Sequence, residues 1–285
     1  MHASALDFGP SDLEAFDVLI CDPPYSAHVH ENAASVGKHG GGLGAHDRDL
    51  GFDSLTPELR EHIAMAAQCV KRWSLIYTDV EGSHEWRAAA DQFGAEYIRT
   101  IPWIRWSQPQ LSGDRPPTCF ECVLLFHVQA LGARGGRKPI AKHWNGPGGF
   151  DGGVFGRRCM RGADKHPTEK GLDLLLDQVS WYSDPGESLI DLTAGSCTLA
   201  VAARLLGRDC VCVEAKAEWA KRGALRAKST LSGRDQVRAV EWCDITEAEA
   251  TAQANAPLAP DGSNRNTIER AARRLADVER VRGAL

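Results

Sequence analysis

The sequence predicts an α/β fold, a doubly wound and mostly parallel sheet with helices on both faces and a small Gly/Arg-rich insert. Three observations carry that expectation. Short apolar runs alternate with helix-period patterns in both halves of the chain. Two of the runs, Val18-Leu19-Ile20-Cys21 and Glu121 to Val128, are apolar enough for buried strands. A length of 285 residues, 43% of them hydrophobic, can bury the core of one large domain with an insert.

In order, Phe16 to Cys21 reads as the first strand and ends at the turn Asp22-Pro23-Pro24-Tyr25. Ser26 to Ser54 is a Gly- and His-rich loop with Gly40-Gly41-Gly42 at its middle. Thr56 is an N-cap and Pro57 the first residue of a helix running to about Trp73. Ser74 to Thr78 is the second strand, Glu85 to Phe93 a helix, Tyr97 to Trp106 the third strand and Glu121 to Val128 the fourth. Leu131 to Asp164 has little periodicity and reads as the insert.

The second half opens with Lys165-His166-Pro167-Thr168-Glu169-Lys170, followed by a helix through Leu172, Leu175, Leu176 and Val179. A turn at Asp184-Pro185-Gly186-Glu187 leads to the strand Ser188 to Leu192, a turn at Thr193 to Ser196 and the helix Thr198 to Leu206. Asp209 to Val213 is the next strand and a helix follows it. Val237 to Trp242 reads as a last strand, Ala252 to Gly262 as a Pro/Ala linker, and Ile268, Ala272, Leu275 and Val278 as one face of a terminal amphipathic helix.

Composition narrows the function classes. No run reaches the roughly 18–20 apolar residues of a membrane span, and Met1-His2-Ala3-Ser4 does not open a signal peptide. Nine cysteines without regular spacing fit a reducing, cytoplasmic setting. The net charge of −5 does not advertise a nucleic-acid partner, yet His127 to Lys170 holds nine Lys/Arg against three acids, a local basic stretch. Cys119 and Cys122 have the spacing of half a zinc site, but no second pair completes four ligands, and His28 and His30 sit in a solvated loop.

The chemistry concentrates at two turns. Asp22-Pro23-Pro24-Tyr25 offers a carboxylate, a rigid backbone and an aromatic face at a strand exit, the groups needed to hold a planar amine. The strand–turn–helix from Asp191 to Leu206 is a βα unit of nucleotide-binding type. Gly195 lets the turn run close to a ligand, and Glu214, 23 residues after Asp191, is placed to accept from ribose hydroxyls. With no Gly-x-Gly-x-x-Gly and no phosphate loop, a phosphate-free nucleoside is the expected ligand.

Asp22-Pro23-Pro24-Tyr25, then Lys165 to Lys170, then Asp191-Leu192-Thr193-Ala194-Gly195-Ser196-Cys197-Thr198, in that order, resemble the β class of S-adenosylmethionine-dependent DNA amino-methyltransferases. Trp106 to Pro109, Asp114 to Pro117 and Glu121 resemble its intervening stretch, and the likeness spans about residues 15 to 245. The resemblance implies a Rossmann-like methyltransferase sheet whose catalytic half is 1–128. A target-recognition insert would follow at 129–164, a cofactor-binding half at 165–246, and a linker with a C-terminal amphipathic helix at 247–285. It implies that Asp22, Pro23, Pro24 and Tyr25 are catalytic, with Asp22 and the Pro23 carbonyl on the amine and Tyr25 stacked on a flipped base. S-adenosylmethionine would lie on Lys165, His166, Pro167, Thr168, Asp191, Thr193, Ala194, Gly195, Ser196 and Glu214. DNA would meet Arg134, Arg137, Lys138, Arg157, Arg158 and Arg161. A homodimer is a further family expectation, and no metal or membrane is implied.

Asp at position 22 favours adenine N6 as the target by family tendency. Cytosine N4, an RNA amine, and a DNA-binding protein of this fold without catalysis stay open. The cofactor turn departs from the family's Asp-Pro-Phe-x-Gly-Ser-Gly-Thr. The Phe is missing, Cys197 replaces the second Gly and is expected to add a side chain near the methionine end, and Gly171 replaces a Pro.

Overall fold

In the computed structural model, residues 1–26, 54–104, 120–131, 137–147, 153–155 and 169–285 are described. Within them the chain forms β1 (Val18–Cys21), β2 (Trp73–Thr78), β3 (Glu96–Ile104), β4 (Phe120–His127), β5 (Gln129–Leu131), β6 (Arg137–Pro139), β7 (Ser188–Asp191) and β8 (Asp209–Cys212). The helices are α1 (Pro10–Leu13), α2 (Pro57–Cys69), α3 (Ser83–Phe93), α4 (Leu172–Tyr182), α5 (Thr198–Leu206), α6 (Ala217–Lys228), α7 (Gly233–Ala254) and α8 (Arg265–Ala284).

Six strands make one sheet in the order β3-β4-β2-β1-β7-β8. β1 pairs in parallel with both β2 and β7, and β7 with β8. β4 is antiparallel to both neighbours, so it alone runs against the other strands of the sheet. From the central β1/β7 pair the chain winds outward in opposite directions, to β2 on one side and to β8 on the other. That pair is therefore the switch point at which open α/β sheets bind ligands.

Period-2 alternation divides the core between the two sheet faces. Val18, Ile20, Leu75, Val123, Leu125 and Leu189 point to the face covered by α4, α5, α7 and α8. Leu19, Cys21, Ile76, Leu124, Phe126 and Ile190 point to the face covered by α2 and α3. β2 is buried along its whole length, as a central strand must be. Asp17 ties the lower ends of the central pair, its Oδ2 accepting from the Ser188 amide (2.8 Å) and hydroxyl (2.8 Å).

Several boundaries differ from the sequence expectation. Thr56 does cap α2, its Oγ1 accepting from the Leu59 amide at 3.1 Å, but the helix stops at Cys69 and Trp73 begins β2. The indole of Trp73 is claimed by tertiary structure, donating from Nε1 to the His143 carbonyl at 2.6 Å. Val237 to Trp242 is not a strand. It lies inside α7, which Ser232 caps by accepting from the Asp235 amide (3.2 Å), and the first residues of the expected linker close the same helix. The physical reason is the burial period: Ala239, Trp242, Cys243, Thr246 and Ala250 are buried while Val237 and Val240 face outward, a helical stripe that no alternating strand could make. β8 is an edge strand, and Cys210 on it is half-buried.

Part of the insert is built into the fold. β5 and β6 form a separate two-stranded sheet. Phe155 bridges the edge strand β3: its amide donates to the Pro102 carbonyl (3.0 Å), its carbonyl accepts from Ile104 (2.7 Å), and its ring stacks on Trp181. Most of the Gly/His-rich loop 26–54 lies outside the described residues.

Candidate active site

The upper ends of β1 and β7 carry the two turns. Cys21 ends β1 and Asp191 ends β7, and the Cys21 thiol and the Thr193 hydroxyl are hydrogen-bonded at 3.1 Å across the strand pair. Asp22 and the Asp191–Ser196 turn are therefore neighbours at the switch point, although 169 positions separate the two aspartates in the chain.

Asp22 is held by a residue that sequence reasoning left without a role. Lys170, immediately before α4, places its ammonium 2.9 Å from Asp22 Oδ2 and 3.0 Å from Glu121 Oε2, and donates to Tyr25 Oη at 3.3 Å. The Tyr25 hydroxyl in turn donates to Glu121. The ammonium also lies over the rings of Tyr77 (4.8 Å), Trp103 (5.2 Å) and Tyr25 (5.5 Å). Tyr77 is fixed from behind by Gln178, whose amide donates to Tyr77 Oη at 2.6 Å. This is a buried, charge-paired cluster rather than a solvated turn, and such acids are tolerated only with a partner.

The electrostatics follow from that burial. Desolvation pushes the Asp22 carboxyl above its ordinary range, with Lys170 opposing and Glu121 assisting the rise. Burial would lower the Lys170 ammonium, but Asp22 and Glu121 outweigh it and raise the group instead. Desolvation, then the Glu121 and Asp22 charges, drive the Tyr25 phenol well above its ordinary range, so it stays a neutral donor. Asp191 is pushed well up by burial, against the Thr193 amide, which donates to its Oδ1 at 2.9 Å.

The second turn is organised by backbone hydrogen bonds. The Gly195 amide donates to Glu214 Oε2 at 2.9 Å and the Lys216 amide to Glu214 Oε1 at 2.8 Å. Ala194 donates to the Val213 carbonyl at 2.9 Å, fastening the turn to the end of β8. Gly195 is buried and adopts φ +47, a conformation that favours glycine. Cys197 is the N-cap of α5 and makes no side-chain cap, so the helix's first N–H groups have no capping side chain from it. Arg226 donates to Ser196 Oγ (3.0 Å) and Thr198 Oγ1 (2.9 Å), and pairs with Glu169 at 2.9 Å. It thereby ties the Glu169-Lys170 segment to the second turn.

Cys197 takes the left-handed conformation (φ +56) that the replaced glycine would suit. It is buried against Gly223 of α6 and close to Cys212. A hydrogen bond with Cys212, and then burial, hold the thiol protonated.

Of the other expected residues, Pro23 is buried, Pro24 and Tyr25 are half-buried, and Lys138 is exposed on β6 beside Arg137. Lys165, His166, Pro167, Thr168, Arg134, Arg157, Arg158 and Arg161 lie outside the described residues. Sequence reasoning gave no role to Lys170, Glu121, Tyr77, Trp103 or Arg226. A signal for Glu121 was available: it is the one acid in the apolar run Glu121 to Val128, and a buried acid requires a cation. Among the described residues no group of three or more His, Cys, Asp or Glu could hold a metal ion, and no helix is long and apolar enough to cross a membrane.

Residues 137–224 match the family model described as DNA methylase. No curated protein sequence matches the chain. Among solved structures, the M1.HpyAVI–SAM complex superposes with a TM-score of 0.58 at 20% identity, covering 80% of this chain and 98% of that one. A Thermus thermophilus protein, TTHA0409, solved in complex with S-adenosyl-L-methionine, gives 0.51 at 15% identity, covering 79% and 91%. The cytosine-N4-specific PvuII DNA methyltransferase gives 0.51 at 11% identity, covering 81% and 86%. The fold is the Rossmann-like methyltransferase fold. The structural likeness covers about four-fifths of the chain, whereas the family match begins at residue 137 and ends in α6.

Proposed function

We propose that the chain is an S-adenosylmethionine-dependent DNA amino-methyltransferase acting on the exocyclic amine of a flipped base. The observation that carries this reading is the adjacency of Asp22 and the Asp191–Ser196 turn on neighbouring parallel strands at the switch point, joined by the Cys21–Thr193 hydrogen bond. Support also comes from the DNA methylase match and from two similar structures solved with S-adenosylmethionine.

The second turn suits such a cofactor. It offers the Glu214 carboxylate for ribose hydroxyls, a glycine turn held to that carboxylate at Gly195, an uncapped helix start, and no phosphate-binding loop. When bound there, the cofactor supplies an electrophilic methyl group. The chain's own residues act on the amine. Asp22 and the Pro23 carbonyl accept its two N–H bonds, favouring a pyramidal nitrogen whose lone pair faces the second turn. A hydrogen bond to a charged acceptor contributes about 1.5–3 kcal/mol, and it accelerates the reaction to the extent that it strengthens in the transition state. Tyr25, fixed through its hydroxyl by Glu121 and Lys170, presents its ring to the base. Base–aromatic stacking of about 1–3 kcal/mol offsets much of the cost of unstacking the base. Lys138, Arg137 and the other basic residues of the insert are the proposed phosphate contacts.

Adenine N6 is the target we favour, on Asp22. Cytosine N4 is the second reading, supported by the likeness to the cytosine-N4-specific PvuII enzyme. Incubating the protein with methyl-labelled S-adenosylmethionine and mixed-sequence DNA, then separating the nucleosides by chromatography, tests both. Label in N6-methyldeoxyadenosine supports the favoured reading and label in N4-methyldeoxycytidine the second. No label in any DNA overturns the proposal.

A further inference from the structure

The Lys170 cluster carries an inference that rests on the methyltransferase reading and goes beyond it. Two carboxylates share one ammonium in a site that is largely closed: 22% of the Asp22 side chain is exposed, and 10% of each of Lys170 and Glu121. Among the described residues, the titratable groups facing Asp22 are Lys170 from the segment before α4, Glu121 from β4, Tyr77 from β2, Asp191 from β7, and Tyr25 and Cys21 beside it in the chain. Lys170 is the cation in that set, and the rest are acids or neutral donors. Its backbone is fixed on both sides, by the start of α4 and by the Glu169–Arg226 pair that also reaches the second turn.

We propose that Lys170 is a positioning residue for methyl transfer, keeping Asp22 anionic and oriented through Oδ2, while Glu121 competes for the same ammonium and so sets how readily Asp22 takes a proton. The signs follow from the geometry. Without Lys170, Asp22 loses its counter-charge at 2.9 Å while Glu121 and Asp191 remain beside it, and it protonates at higher pH, losing its capacity to accept from the amine. Without the Glu121 charge, Lys170 serves Asp22 alone and Asp22 protonates at lower pH. A purely structural role for Lys170 predicts neither opposite displacement.

The test uses full-length wild type, Lys170→Met, Lys170→Arg and Glu121→Gln, with circular dichroism melting to confirm folding. The Asp22 carboxyl is titrated by 13C NMR, its resonance assigned with Asp22→Asn, and kcat/KM for DNA is measured against pH. In Lys170→Met both the titration and the acid limb should move up by about one pH unit or more, each unit being a tenfold loss of rate at fixed pH on the limb. KM for DNA should stay within about threefold, because the residue acts through Asp22 and touches no DNA. Lys170→Arg should return the limb toward wild type, and Glu121→Gln should move it down. An Asp22 titration unchanged in Lys170→Met overturns the proposal, as does loss of activity in both variants with an unmoved limb. If Lys170→Met does not fold, Glu121→Gln decides: a downward shift supports the proposal and no shift refutes it. Should wild type methylate no DNA, the methyltransferase reading fails, while the NMR titration still decides whether Lys170 governs Asp22.

Discussion

Gly223→Ala offers a sharp test of how the second turn is packed. Gly223 is a buried position in α6, and a Cβ added there would fall on the Cys197 sulfur, 3.0 Å from Cys197 Cβ and 3.5 Å from the Gly195 carbonyl oxygen. Overpacking of this kind costs about 1–3 kcal/mol, against a gain of about 1 kcal/mol for Ala over Gly inside a helix. The single variant should therefore lose about 1 kcal/mol. In a Cys197→Gly background the obstacle is gone, and the left-handed backbone at position 197 no longer carries a Cβ. There the same substitution should gain up to about 1 kcal/mol. The expected coupling of about 2 kcal/mol stands well clear of the ~0.3–0.5 kcal/mol scatter of independent sites. Urea unfolding of the four proteins, with m-values checked for constancy, measures it. Equal effects of Gly223→Ala in both backgrounds would refute the packing of the Cys197 thiol against α6.

Two further predictions concern the ends of the central strands. Glu214→Ala removes the acceptor for the Gly195 and Lys216 amides together with the proposed ribose contact. Calorimetric affinity for S-adenosylmethionine should fall by about tenfold or more, the equivalent of one hydrogen bond to a charged group, and an unchanged affinity would remove Glu214 from the site. Asp17→Ala removes the charged acceptor shared by the half-buried Ser188 amide and hydroxyl and should cost about 1–3 kcal/mol. Burial alone would raise the Asp17 carboxyl, but the Ser188 hydrogen bonds and Lys71 hold it below its ordinary value of 3.8. Its contribution is therefore complete above that value and lost as pH falls through the lowered folded one. The stability gap between wild type and Asp17→Ala should narrow on acidification, and a gap that widens would contradict the assignment.

Much of this architecture could be read from the sequence because local and global signals agree. β1, β2, β4 and β7 are apolar runs bounded by turns, and α5 ends at Gly207 in the left-handed conformation that such a glycine signals. The misreading at Val237 to Trp242 came from two β-branched residues that face outward on a helix packed through Ala239, Trp242 and Cys243. Propensity lost there to tertiary burial. The adjacency of Asp22 with the second turn lies outside any local signal and comes from the β1–β7 pairing at the switch point. Lys170, Glu121, Tyr77 and Trp103 escaped because four separate elements supply them, and no spacing along the chain announces a cluster assembled in three dimensions. Arg226 escaped for a similar reason, since a basic residue in the last turn of a helix reads as ordinary dipole complementarity until its partners at Ser196, Thr198 and Glu169 are known.

The claim on which the functional account turns is that Asp22 acts on the amine while a separate turn holds the methyl donor. Single-turnover methyl transfer to DNA by wild type and Asp22→Ala, with S-adenosylmethionine affinity measured in parallel, tests it most directly. The account predicts transfer lowered by about a hundredfold or more, as when a group that stabilises the transition state is removed, with affinity within a few-fold of wild type. Transfer by Asp22→Ala at the wild-type rate would contradict it.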